Sequence, residues 1–85
     1  MLWKARIEIT LKKEVLDPQG AAVENALKAL HYNNVKQVRI GKYMELYLEA
    51  EEREAGAKQV EEMCRRLLAN PVIEDFSYTL TEAER

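Results

Sequence analysis

The sequence is short of the residues that most chemistry needs. It has one cysteine, Cys64, and one histidine, His31. A single thiol forms no intrachain disulfide, which fits a reducing compartment. One Cys and one His supply no zinc ligand set. Basic side chains do not exceed acidic ones: 13 against 15, for a net charge of −2. A general affinity for nucleic acid would need a basic excess, so that class is set aside. No apolar run reaches the length of a signal peptide or a membrane span, and the expectation is a cytoplasmic protein with no membrane partner. Repeats, linkers and low-complexity tracts are also missing.

What is present is patterned. The 85 residues are 47% hydrophobic, enough for one small domain over residues 1–85. Domains of this size bury only about 60% of their unfolded surface, and oligomerisation is a common remedy. Trp3, Ala5, Ile7, Ile9 and Leu11 alternate with Lys4, Arg6, Glu8, Thr10 and Lys12. That period of two predicts a strand with one buried face. Asp17 and Pro18 then read as N-cap and first residue of a helix running to about residue 31, with Val23, Leu27 and Leu30 on its apolar stripe. A second helix is expected over about 52–69, with Ala57, Val60, Met63, Cys64, Leu67 and Leu68 as its stripe and Asn70-Pro71 as its stop. A last strand is expected over 72–80, with Phe76, Tyr78 and Leu80 on one face, and residues 81–85 as a frayed tail.

The middle segment, about 35–50, has a parity problem. Val38, Ile40, Met44, Leu46 and Leu48 are all even positions. A two-residue turn at Gly41-Lys42 would put them on opposite faces, which register disfavours. A three-residue turn, Gly41 to Tyr43, keeps them together. So does one long strand bent at Gly41, which would serve two sheets across a dimer. With the hairpin, the order is β-α-β-β-α-β: an α+β, ferredoxin-like two-layer sandwich, its antiparallel sheet covered on one face by two helices.

No catalytic constellation emerges. Gly41-Lys42 lacks the first glycine, the Ser/Thr and the following helix of a phosphate loop. His31 sits at a helix end, where it meets exposed carbonyls. Cys64 falls on an apolar stripe and reads as a buried thiol. Glu74 and Asp75 are neighbours on a strand and point to opposite faces, so they do not form an acid–base pair. Tyr43, Tyr47 and Arg39 share the odd positions with Glu45 and Glu49. That mixture suits a protein interface better than RNA. The residues describe a binding or assembly module with no catalytic, cofactor or metal site of its own.

Three stretches go further. "LDPQG" before the first helix, "VRIGKYMEL" in the middle and "LLANPVIEDF" before the last strand together resemble the PurS family, the small accessory subunit of phosphoribosylformylglycinamidine synthase. The resemblance covers residues 3 to 80. It implies a non-catalytic subunit in de novo purine synthesis. In that ligase complex a glutaminase subunit releases ammonia and a large ATP-dependent synthetase subunit uses it. ATP, Mg and glutamine belong to those partners, and no cofactor is implied on this chain. The small subunit self-associates, as a homodimer or tetramer, and helps the other two assemble. By motif, Asp17, Pro18 and Gly20 match the helix start, Arg39, Gly41 and Lys42 the centre, and Asn70, Pro71, Glu74 and Asp75 the last stretch. Of these, Asp17, Arg39, Gly41, Lys42, Asn70 and Pro71 are the candidate site residues, joined by Tyr43 from the odd-position face. His31 departs from the pattern, since a glycine is expected after the helix. Two other readings are a ferredoxin-like domain sensing a small metabolite and a stand-alone enzyme using a strand-borne Tyr or Glu.

Overall fold

The computed structural model describes residues 1–84. The alternating N-terminal segment forms β1 (Leu2–Leu11), and Asp17-Pro18 opens α1 (Pro18–Ala29). Next come β2 (Gly41–Glu49), α2 (Arg53–Met63), which continues as a π-helical turn over Cys64–Leu68, and β3 (Glu74–Glu82). The strands form one antiparallel sheet in the order β2-β1-β3. The architecture is the expected ferredoxin-like α+β class.

The inner face of the sheet carries the core. Trp3, Ala5, Ile7 and Ile9 of β1 are buried beside Leu48 of β2 and Leu80 of β3, under Val60 and Cys64. Met44, Leu46, Phe76 and Tyr78 pack around them. Burial of Ile7, Ile9 and Val60 is worth roughly 1.5–3 kcal/mol each. The start of α2 is fastened to the sheet by polar contacts as well. The Trp3 indole N–H donates to the Ala50 carbonyl at 3.0 Å. The Arg53 guanidinium lies 5.3 Å over the Trp3 ring and donates to the Leu80 carbonyl.

Three details differ from the sequence reading. First, the chain does not reverse at Gly41. Residues 35–40 pair with no strand of this chain, so three strands replace four. Both edges of β1 are already taken, by Gly41 to Glu49 on one side and Glu74 to Glu82 on the other. Second, α1 does not lie on the sheet beside α2. Gly20 is its one buried residue, and Val23 and Leu30 are exposed. The molecule is correspondingly long, 50 × 28 × 14 Å with a radius of gyration of 16.5 Å, against about 12 Å for a compact chain of this length. Third, β3 runs on through Thr81 and Glu82, into the segment expected to fray. They pair with Lys4 and Trp3, and the Ala83 N–H donates to Leu2 O at 2.9 Å. The length of β1 supplies the partners. Arg85 lies outside the described residues.

The end of α2 also departs from a plain α-helix. The Ala69 N–H reaches back five residues to Cys64 O at 2.9 Å, the bond that defines a π turn. The wider turn rotates Leu67 off the apolar stripe, leaving it 82% exposed while Cys64 stays buried.

The exit of α1 follows the Schellman pattern. The Tyr32 N–H donates to Leu27 O and the His31 N–H to Lys28 O, each at 3.0 Å. His31 takes the left-handed position, with φ 73°. This is the cost expected from the missing glycine; among residues with a Cβ, histidine is one of the better tolerated there.

Two stability predictions follow from the packing. Ile7→Ala removes the centre of the core and lowers unfolding free energy by roughly 2–5 kcal/mol in urea titration. His31→Gly raises it by roughly 0.5–1 kcal/mol, the left-handed penalty removed less the entropy that glycine adds.

Candidate functional site

The motif residues gather at one end of the sheet, where β1 ends. Asp17 is the centre of the group. Its Oδ1 accepts from the Gly20 N–H at 2.9 Å, closing the first turn of α1. Its Oδ2 accepts from the Ile40 N–H at 3.0 Å, one residue before β2. One carboxylate therefore joins the start of α1 to the start of β2. The Arg39 guanidinium donates to Thr10 Oγ1 at 2.9 Å and to the Leu11 carbonyl. That ties the same segment to the end of β1.

Two glycines let these backbones meet. A Cβ on Gly20 would lie 2.2 Å from the Val38 carbonyl oxygen, and one on Gly41 would lie 2.0 Å from that of Ile9. No side chain fits at either distance. Gly41 is thus neither a hairpin turn nor part of a phosphate loop. It is where β2 is laid against β1, opposite Thr10.

The remaining candidates sit around this clasp. Lys42 reaches across the inner face to Glu74 at 3.9 Å. Glu74 also accepts from the Asn70 N–H at 2.7 Å. Asn70 accepts from the Val72 N–H at 3.1 Å and, through its carbonyl, from the Glu74 N–H at 2.8 Å. Asn70 and Pro71 therefore build the tight turn that leads into β3. Tyr43 lies apart, on the outer face. Its hydroxyl donates to Glu45 at 2.8 Å, and Lys4 pairs with the same carboxylate at 3.2 Å while lying 5.7 Å from the Tyr47 ring. Arg39 is not part of that face cluster, although its parity suggested it. Its side chain turns to the end of β1 instead.

The electrostatics follow these contacts. Hydrogen bonds from the Ile40 and Gly20 backbone amides hold the Asp17 carboxyl below its ordinary range. The Tyr43 hydroxyl and the Lys4 ammonium do the same for Glu45. In return, the Glu45 carboxylate pushes both Tyr43 and Lys4 up. Burial raises the Cys64 thiol, the opposite of a reactive cysteine. The resemblance places Glu74 in the final motif, but its link to Lys42 of the central motif is visible only in the structure. Gly20 belongs to the helix-start motif of the resemblance, but its close approach to the Val38 carbonyl is visible only in the structure.

Among the described residues no group of three or more His, Cys, Asp or Glu is placed to hold a metal ion, and no helix is long and apolar enough to cross a membrane. Apolar side chains stand open instead. Leu46, Met63, Leu67 and Leu68 line a groove between β2 and the end of α2. The stripe of α1 makes no more than marginal contact with any other element.

Fold and surface together define a small α+β domain suited to association with other chains. The chain belongs to the PurS family, whose model, described as phosphoribosylformylglycinamidine (FGAM) synthase, matches residues 4–82. It is 51% identical to the phosphoribosylformylglycinamidine synthase subunit PurS of Bacillus subtilis (strain 168), over 95% of each chain. Thermus thermophilus PurS superposes with a TM-score of 0.86 at 40% identity, over 99% of this chain and 100% of that one. A chain in the structure of PurLQS from Thermotoga maritima gives 0.86 at 33% identity, over 95% and 99%. These matches do not favour the metabolite-sensing alternative.

A pH prediction follows from the Asp17 contacts. The folded carboxyl is held lower than the unfolded one, so its contribution to stability is complete above the unfolded value, about pH 4. It is lost as pH falls through the lower folded value. Asp17→Asn removes this contribution. The stability difference between wild type and variant, read by urea titration at stepped pH, should therefore be constant at neutral pH and shrink below about pH 4.

Proposed function

We propose that this chain is the small, non-catalytic subunit of a phosphoribosylformylglycinamidine synthase, acting in the cytoplasm in de novo purine synthesis. It bridges a glutaminase subunit and an ATP-dependent synthetase subunit so that ammonia passes between them. The observation that carries this reading is the match along nearly the whole chain to the family model and to a chain of the PurLQS structure. The exposed surface agrees with it. Val23 and Leu30 of α1 and Leu67 beside the groove leave large apolar side chains in water, and surfaces of this kind mark places where other chains bind.

Self-association belongs to the same reading, as a homodimer or tetramer. The groove by Leu46, Met63, Leu67 and Leu68 lacks a helix, and α1 lacks a groove. A second copy would satisfy both. Residues 35–40, without a ladder partner, are also free of this chain's sheet.

The test is reconstitution. Adding the folded chain to isolated synthetase and glutaminase should raise glutamine-dependent turnover and change ammonia-dependent turnover much less. Three folded proteins with no gain in the glutamine-dependent rate would refute the proposal.

A further inference from the structure

The chain leaves the sheet after Leu11 and returns to it at Gly41. Between Pro18 and Ile40 only Gly20 is buried. This excursion, α1 and the 30–40 segment, is an arm with almost no apolar seat on its own body. Its direction is set by polar contacts at its base. Asp17 Oδ1 holds Gly20, Asp17 Oδ2 holds Ile40, and Arg39 holds Thr10 and Leu11.

We propose that Asp17 is a positioning residue for self-association: its two carboxylate oxygens fix the direction of the α1 arm, and the fit of that arm to a second copy depends on this direction. The inference rests on the self-association reading above. An ordinary N-cap would need one acceptor, and serine or asparagine would serve. The second oxygen is what couples helix to strand. The lever is long. A 12-residue helix extends about 18 Å, so a swing of about 10° at its base displaces its tip by roughly 3 Å. Close-packed surfaces do not absorb a shift of that size. The apolar stripe of Val23, Leu27 and Leu30 would then miss its groove while each copy stays folded.

Asp17→Asn and Asp17→Ser test this in the full chain. Each keeps one acceptor for the Gly20 amide and cannot supply the pair that also holds Ile40. Three measurements are needed: amide exchange at Ile40, the fluorescence of Trp3 as a report on the core, and the dissociation constant by sedimentation equilibrium. The expected result is faster exchange at Ile40, an unchanged Trp3 spectrum and association weakened by roughly tenfold or more as the misdirected stripe loses its fit. Variants that release Ile40 yet associate as tightly as wild type would overturn the proposal alone. So would weakening that merely follows a loss of the Trp3 signal. A wild-type chain that is monomeric at tens of micromolar would remove the self-association reading as well. Arg39→Met, which frees the other anchor of the arm's base, is the second variant should the Asp17 changes fail to fold; it should weaken association in the same way, and tight association would again count against the clasp.

Discussion

The double pairing of β1 is the constraint on which the rest of the structure depends. Residues Trp3 to Thr10 face β2 on one edge and β3 on the other. The same strand supplies four of the buried core side chains: Trp3, Ala5, Ile7 and Ile9. Once both edges are filled, no further strand can pair with β1. The segment before Gly41 therefore has no place in the sheet except beyond β2. With α2 lying over the inner face, the core closes around three strands and one helix. The first helix is surplus to that core.

Two kinds of force consequently hold two parts of the molecule. The body is held by burial, which is non-directional and tolerates small shifts. The arm is held by hydrogen bonds to one carboxylate and one guanidinium, which are directional. Parts of a fold that bury little apolar surface are also the parts that open most readily. In this chain that low-stability part carries an unpartnered apolar stripe. Position matters more to it than strength, and directional bonds supply position.

Much of this was legible in the residues. Alternation from Trp3 to Leu11 identified β1 and its buried face, because one side of an antiparallel strand meets the core and the other meets water. Asp17 and Pro18 located the start of α1 within a residue, since cap chemistry is local. His31 marked the left-handed exit for the same reason. Of the even-position run, Met44, Leu46 and Leu48 do share the inner face of β2, but parity could not say where Val38 and Ile40 would lie. That depends on which edges of β1 are free, a fact about the whole sheet. The stripe on α1 showed amphipathicity and not the identity of what it packs against; the expectation of a helix on the sheet assigned it to its own chain. The π turn at Cys64 was hidden for a different reason. Nothing in "CRRLL" breaks an α pattern, and the rotation of Leu67 only becomes visible in the hydrogen bond from Ala69 to Cys64.

The two open edges of the sheet carry the last part of the argument. Neither β2 nor β3 contains proline, and an exposed edge of nine residues is a template for pairing with another chain. What restrains it here is charge. Along the outer face of β2, Tyr43, Glu45, Tyr47 and Glu49 alternate aromatic and acidic side chains, with Glu45 already engaged by Lys4 and Tyr43. Antiparallel pairing of β2 with itself centred on Glu45 would set that residue directly against its own copy, and like charges so placed are destabilising.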